Sequence, residues 1–162
     1  MGDHIAKKLL IALDKSDWAW HAVEYMAKTF AQTPGLDITL LHILSGLPPA
    51  FWDDGHILDE AERESRQRLV ASWQKDQEKQ WRGLVTKAKD HLKAAGLTTV
   101  HSKFIPGHFD VAEDIVKEAV ALGAKTIVMG RRGLSAATSL LLGSVTNKVV
   151  QNSQGRAVII VE

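Results

Sequence analysis

The segment Gly130 to Val145, GRRGLSAATSLLLGSV, holds the residues of this chain with the most to offer a ligand. Its three glycines, Gly130, Gly133 and Gly143, remove side chains where a backbone must turn sharply or lie against a bound molecule. Gly143 and Ser144 stand where a helix is expected to begin. Unpaired backbone N–H groups, a hydroxyl and the positive end of a helix dipole then meet in one place, a combination that suits a phosphate. Arg131 and Arg132 add local positive charge. A purely structural account is also open, in which the glycines only make turns and Ser144 only caps a helix. Transfer chemistry is less well provided for. Phosphoryl transfer needs a group to orient the nucleophile, yet residues 130–146 contain no Asp, Glu or Gln. The Gly-x-x-x-x-Gly-Lys-[Ser/Thr] loop is absent as well. The segment is composed to hold a ligand rather than to cleave one.

Other polar residues invite weaker readings. Asp14 closes an apolar run, where it can contact a ligand or cap the helix that follows. His42 lies inside an apolar strand and reads as a hydrogen-bonded core residue rather than a base. The remaining histidines, at 4, 21, 56, 91, 101 and 108, lack the i, i+4 or paired-carboxylate spacing of a metal site. Trp52, Trp73 and Trp81 read as a cover over the sheet and a helix stripe, with a partner surface as the alternative.

These groups need a frame, and the hydrophobic pattern supplies one. Lys8 to Leu13 is a short continuous apolar run, the mark of a strand covered on both faces. Ser16 or Asp17 can cap a helix whose stripe is Ala19, Ala22, Val23, Met26, Ala27 and Phe30, stopped by Pro34-Gly35. Ile38 to Leu44 is a second strand, closed by Gly46, Pro48 and Pro49. Asp59 to Ala95 is helix-rich, with Glu62/Arg66, Glu64/Arg68 and Glu78/Arg82 four apart. Its second half carries an apolar stripe at Trp81, Leu84, Val85, Ala88, Leu92 and Ala95, and Gly96 supplies the left-handed stop. Thr98 to Ile105 is strand three, and Asp110 begins a helix running to Gly123. Thr126 to Met129 is strand four, Ser144 to Asn152 a last helix, and Ala157 to Val161 strand five. Strands alternating with amphipathic helices imply an α/β fold, an open parallel sheet with helices on both faces. Such sheets bind ligands beyond the carboxyl ends of their strands, where the strand order reverses. That points to Asp14, residues 43–46 and the segment after Met129.

Composition bounds the functions available. The 162 residues suit one domain, 45% of them hydrophobic, and a formal charge of +1 lacks the field that draws a chain to nucleic acid or an anionic membrane. No cysteine is present, which removes disulfides and thiolate chemistry and fits a reducing compartment. The first apolar run is cut short at Asp14, too early for a secretory or membrane-inserted segment, so a cytoplasmic location is expected.

The spacing Gly130, two residues, Gly133, nine residues, Gly143 and then Ser144 resembles the nucleotide-binding signature of the universal stress protein family, in its ATP-binding branch. KKLLIALDKSDWA resembles the family's first strand and terminal Asp, ITLLHIL its second strand, TIVMGRRG its fourth, and LLGSVTNKVVQNSQGRAVIIVE its closing helix and strand. The resemblance implies one nucleotide-binding domain over residues 1–162, with 46–82 as a variable long crossover, and a five-stranded parallel sheet of order 3-2-1-4-5. It further implies ATP at the carboxyl ends of strands one, two and four. Ala12 and Asp14 would line the nucleoside side, the Ile43 backbone would meet the adenine edge, and Met129 and Gly130 would flank the ribose. Arg132, Gly133, Gly143, Ser144 and Val145 would surround the phosphates, Gly133 and Gly143 through backbone N–H. Mg²⁺ would bridge phosphate oxygens and waters. A homodimer through Ala157 to Val161 and a further protein partner are implied too. The turn Pro106-Gly107 departs from the family's Gly-x-Pro, so no role is carried onto it. The expected function is a nucleotide-dependent stress regulator with slow or incidental hydrolysis. The alternatives are an ATPase or autophosphorylating phosphotransferase, for which Ser135, Thr138 and Ser139 are acceptors, and an interaction module without nucleotide.

Overall fold

The computed structural model describes residues 7–44, 46, 55–107, 110–133 and 142–162. Along the chain run β1 (Lys7–Ala12), α1 (Asp17–Thr29), β2 (Leu36–Leu44), α2 (Glu60–Ala94), β3 (Val100–Pro106), α3 (Val111–Leu122), β4 (Thr126–Gly130), α4 (Ser144–Gln151) and β5 (Ala157–Val161). The five strands form one parallel sheet in the order β3-β2-β1-β4-β5. β1 sits at its centre, with Ala12 level with Leu41 of β2 and Ile11 level with Val128 of β4.

Side-chain alternation along the strands sorts the core into two layers. Leu9 and Ile11 of β1 point into the layer with α1 and α2, where Val23, Met26, Ala88 and Leu92 are fully buried. Leu10 points the other way, into the layer with α3 and α4, among Leu41, Ile115, Ala119 and Val149. Both faces of the sheet are covered, as the uninterrupted apolar run of β1 requires.

Local signals set the helix ends. Ser16 caps α1 by accepting from the Ala19 N–H, and Phe30 is its C-cap rather than its last turn. Asp59 and Glu62 form a reciprocal capping box on α2, so Glu62 is turned back to the Asp59 N–H, 2.9 Å away, instead of joining the expected pair with Arg66. The pairs Glu64/Arg68 and Glu78/Arg82 do form. Gly96, at φ +83°, supplies the left-handed residue after α2, and Gly123 does the same for α3. β3 starts at Val100, two residues later than the pattern predicts, and extends to Pro106. Thr98 and Thr99 are β-prone but lie in the irregular link between the turn at Ala95-Gly96 and β3, where the Thr99 carbonyl takes a first bond from the Ile38 N–H.

Candidate functional site

At the carboxyl ends of β1, β2 and β4 the chain turns outward in opposite directions, since β2 and β3 lie on one side of β1 and β4 and β5 on the other. The resulting crevice is a cavity of about 200 Å³. Among the described residues it is lined by eight of the ten expected from the sequence: Ala12, Asp14, Ile43, Met129, Gly130, Arg132, Gly133 and Val145. Residues 134–141, which hold Ser135, Thr138 and Ser139, lie outside the described residues, as does Trp52.

The floor is apolar. Leu41 and Ile43 come from the end of β2, Met129 from β4, and Val111 and Ile115 from the first turns of α3. Only the sheet topology brings α3 here, so Val111 and Ile115 were missed from sequence. Their spacing of four after the Asp110 cap, at the end of the helix nearest the strand termini, is the signal that marks them.

Asp14 stands at the mouth. Its Oδ1 accepts from the Ser16 N–H at 2.8 Å and from the Ser16 hydroxyl, while Ser16 Oγ accepts from the Ala19 N–H. One carboxylate oxygen thus braces the α1 cap. The other faces Gly133, where an added Cβ would stand 3.0 Å from Oδ2. The cap of α1 is thus Ser16 and not Asp14, which braces the cap through Oδ1 and turns Oδ2 toward Gly133 at the crevice.

His42 also lines the crevice. Its Nδ1 lies 2.8 Å from the Leu13 carbonyl, and its ring is stacked between Trp81 of α2 and Phe104 of β3, at centroid distances of 5.1 and 5.5 Å. Burial lowers its pKa below the ordinary histidine value, outweighing the bond to the Leu13 carbonyl and the nearby Asp14 charge. The ring is therefore a neutral donor to that carbonyl. It packs as expected, but at the wall of the crevice rather than deep in the core.

The glycines divide by cause. At Gly130 a Cβ would fall 2.5 Å from the Trp18 backbone, so the start of α1 demands glycine there whatever binds. The Gly130 carbonyl accepts from the buried Thr146 hydroxyl at 3.1 Å, which ties α4 to the end of β4. Gly143 is the N-cap of α4 and offers no side-chain cap, whereas Ser16, Asp59 and Asp110 cap the other three helices. Ser144 is the first helical residue rather than the cap. The Gly143 N–H is donated to the Arg131 carbonyl at 3.0 Å, so the phosphate contact expected of that N–H would have to displace this bond. In a helix whose first internal bond is Asn147 N–H to the Gly143 carbonyl, the N–H groups of Ser144, Val145 and Thr146 have no intrahelical acceptor. They stand beside the crevice as donors with no partner inside the helix. Gly143 and Ser144 border it from the start of α4 without lining the cavity itself.

Three further contacts surround the mouth. Arg131 pairs with Glu162 and donates its N–H to the Val161 carbonyl at 2.7 Å. The Lys148 amine lies 2.7 Å from Asp110, whose carboxyl it holds below the usual carboxylate range. Lys15 reaches Gln77 and Gln80 of α2. Among the described residues no group of three or more His, Cys, Asp or Glu side chains gathers to hold a metal.

Comparison with known proteins places this geometry in a family. The model of the universal stress protein family matches residues 6–161. Universal stress protein YxiE of Bacillus subtilis is 26% identical over 153 residues, covering 90% of this chain and 93% of that one. Among solved structures, hypothetical protein MJ0577, the subject of a structure-based assignment of biochemical function, superposes with a TM-score of 0.71 at 25% identity, over 97% of this chain and 96% of that one. A universal stress protein in complex with cAMP gives a TM-score of 0.62 at 21% identity, over 98% of each chain. One from Archaeoglobus fulgidus in complex with dAMP gives 0.58 at 20% identity, over 98% of this chain and 99% of that one. The last two likenesses are of fold. The family match over nearly the whole length, on a sheet of the same strand order, decides the assignment: this chain belongs to the universal stress protein family.

Proposed function

We propose that this chain binds an adenine nucleotide in the crevice at the ends of β1, β2 and β4 and acts as a nucleotide-dependent regulator. The observation that carries the reading is the pairing of an apolar floor with a helix start that no side chain caps. The floor of Leu41, Ile43, Met129, Val111 and Ile115 suits the faces of a base. The N–H groups of Ser144, Val145 and Thr146 and the Arg132 side chain suit a phosphate. Ala12 and Asp14 border the nucleoside between them, with Met129 and Gly130 toward the ribose and the Gly133 backbone toward the phosphates. The cAMP and dAMP carried by relatives of the same fold support an adenine nucleotide. ATP belongs to this reading with Mg²⁺ on its phosphate oxygens and waters, an arrangement that needs no all-protein metal cage. In this proposal the molecule works as a homodimer joined through Ala157 to Val161 and signals to a further protein.

Isothermal titration of the purified protein with adenine nucleotides, together with mass spectrometry of whatever small molecule is extracted from it, tests the reading. Binding of an adenine nucleotide is expected, and Gly133→Val, which pushes a branched side chain onto Asp14, and Ser144→Asp, which sets a carboxylate at the phosphate position, should each weaken it at least tenfold. No nucleotide in either measurement, or unchanged affinity in both variants, overturns it.

A further inference from the structure

Away from the crevice, we propose that the chain carries a second small-molecule site at the opposite end of the sheet, fitted to a small zwitterion of the α-amino acid kind, whose ammonium meets Asp37 and whose carboxylate meets Lys8 and Thr39. The site is a cavity of about 230 Å³ lined by Lys8 of β1, Asp37 and Thr39 of β2, and His101 and Lys103 of β3, with Leu122 and Ala124 at the far end of α3. The helix lies between the two hollows, since Val111 and Ile115 of its first turns floor the crevice. Lys8 is level with Asp37 on the neighbouring strand, and Thr39 with His101. Alternation turns all four to the face that carries Leu10 and Leu41.

Unmet bonding marks the cavity as a site. Thr39 is only 9% exposed, yet its hydroxyl has no hydrogen-bond partner among the described residues. The Asp37 carboxylate, 23% exposed, has the His101 Nε2 at 3.3 Å as its one partner among them. Lys8, although level with Asp37, makes no ion pair among them. A polar group withdrawn from water without a partner costs free energy, so a bound molecule that gives Asp37 a donor and gives Lys8 and Thr39 an acceptor is favoured. Charge decides the class. Lys103 is already paired with Glu118, which leaves Lys8 and Asp37, one of each sign, with His101 adding to the positive side only when protonated. The end of α3 contributes the partial negative charge of a helix C-terminus. A bare anion meets Asp37 and that helix end, and a bare cation meets Lys8. A molecule with both groups a few ångströms apart matches both signs at once.

The test is proton–nitrogen NMR of the full chain, following its amides during titration with glycine, L-glutamine and L-leucine, and with acetate and methylammonium as the separate halves of a zwitterion. At least one amino acid should shift the Thr39 and His101 amides saturably and bind about tenfold more tightly than either half. Thr39→Val and Lys8→Met should each weaken that binding about tenfold, while Thr39→Ser, which restores the hydroxyl, should keep it. Circular dichroism checks that the variants fold. Four results overturn the proposal: no saturable shift with any of the three amino acids, acetate or methylammonium binding as tightly as they do, shifts centred on Ile43 and Met129 of the crevice instead, or affinity unchanged in both Thr39→Val and Lys8→Met. Each of them leaves the nucleotide reading of the crevice to its own titration.

Discussion

His42 donates to the Leu13 carbonyl from a ring stacked between Trp81 and Phe104, with Asp14 and Lys15 as the nearest charges. Because burial lowers its folded-state pKa, the unfolded chain takes up a proton at a higher pH than the folded one. The histidine's contribution to stability is therefore complete above the ordinary value near 6.5 and is lost as pH falls from there through the lowered folded value. His42→Phe keeps a stacking ring and removes both the bond and the titration. Urea unfolding should show the variant destabilised by about 0.5–1.5 kcal/mol at pH 8, with the deficit shrinking toward pH 5. A deficit that stays constant or grows on acidification contradicts this account. The type and strand position of His42 were legible in sequence, as was its hydrogen-bonded character. Its stacking partners were not, because Trp81 is 39 residues away along the chain and reaches it only when α2 lies across the sheet.

α2 is two different helices joined end to end. Trp81, Val85, Ala88 and Leu92 of its second half are buried in the core, while in the stretch from Glu60 to Gln80 no residue is buried. At about 1.5 Å per residue, this is roughly 30 Å of helix, whose contacts among the described residues include its capping box, its i, i+4 ion pairs and the reach of Lys15 to Gln77 and Gln80. Exposed pairs of this kind are each worth only about 0.3–0.5 kcal/mol. Hydrogen exchange should accordingly find the amides of residues 64–78 opening far more readily than those of 84–92. Equal protection across the two halves would show that the first half is anchored by more than these contacts. The pattern in sequence announced this division, since the apolar stripe begins only at Trp81. Glu62 goes into the capping box because the end of the helix leaves the Asp59 N–H without an intrahelical acceptor, and the carboxylate satisfies it.

For the whole molecule, the two edges of the sheet are unlike. β3 shows His101, Ser102 and Lys103 to solvent, while β5 is Ala157-Val158-Ile159-Ile160-Val161 without a charge, with Ile160 36% exposed. A charged edge resists pairing and an apolar one invites it. Light scattering at micromolar concentration should return a dimer for the wild type and a monomer for Ile160→Lys, with circular dichroism unchanged. A wild-type monomer, or a lysine variant that stays dimeric, removes β5 as the interface. The Arg131 N–H bond to the Val161 carbonyl places that edge one residue from the crevice lining, so the nucleotide titrations should be run on both species.

The chain's own pattern determined the element order, the parallel sheet and the neighbourhood of the site, because each rests on signals a few residues long. Continuous apolar runs mark strands covered twice, period-3.6 stripes mark helices lying on a sheet, and Ser16, Asp59, Asp110, Gly96 and Gly123 mark helix ends through bonds made within a turn. The glycine spacing and Asp14 likewise lie where strand-end geometry puts them. Tertiary structure alone decided which groups share the crevice and which are already spent. Val111, Ile115 and His42 enter it from elements distant in sequence, Gly130 answers to the Trp18 backbone, and the Gly143 N–H goes to Arg131. Periodicity carries information about the face a side chain presents, but the distance between two faces depends on how layers pack, and a donor's freedom depends on every acceptor within about 3 Å of it.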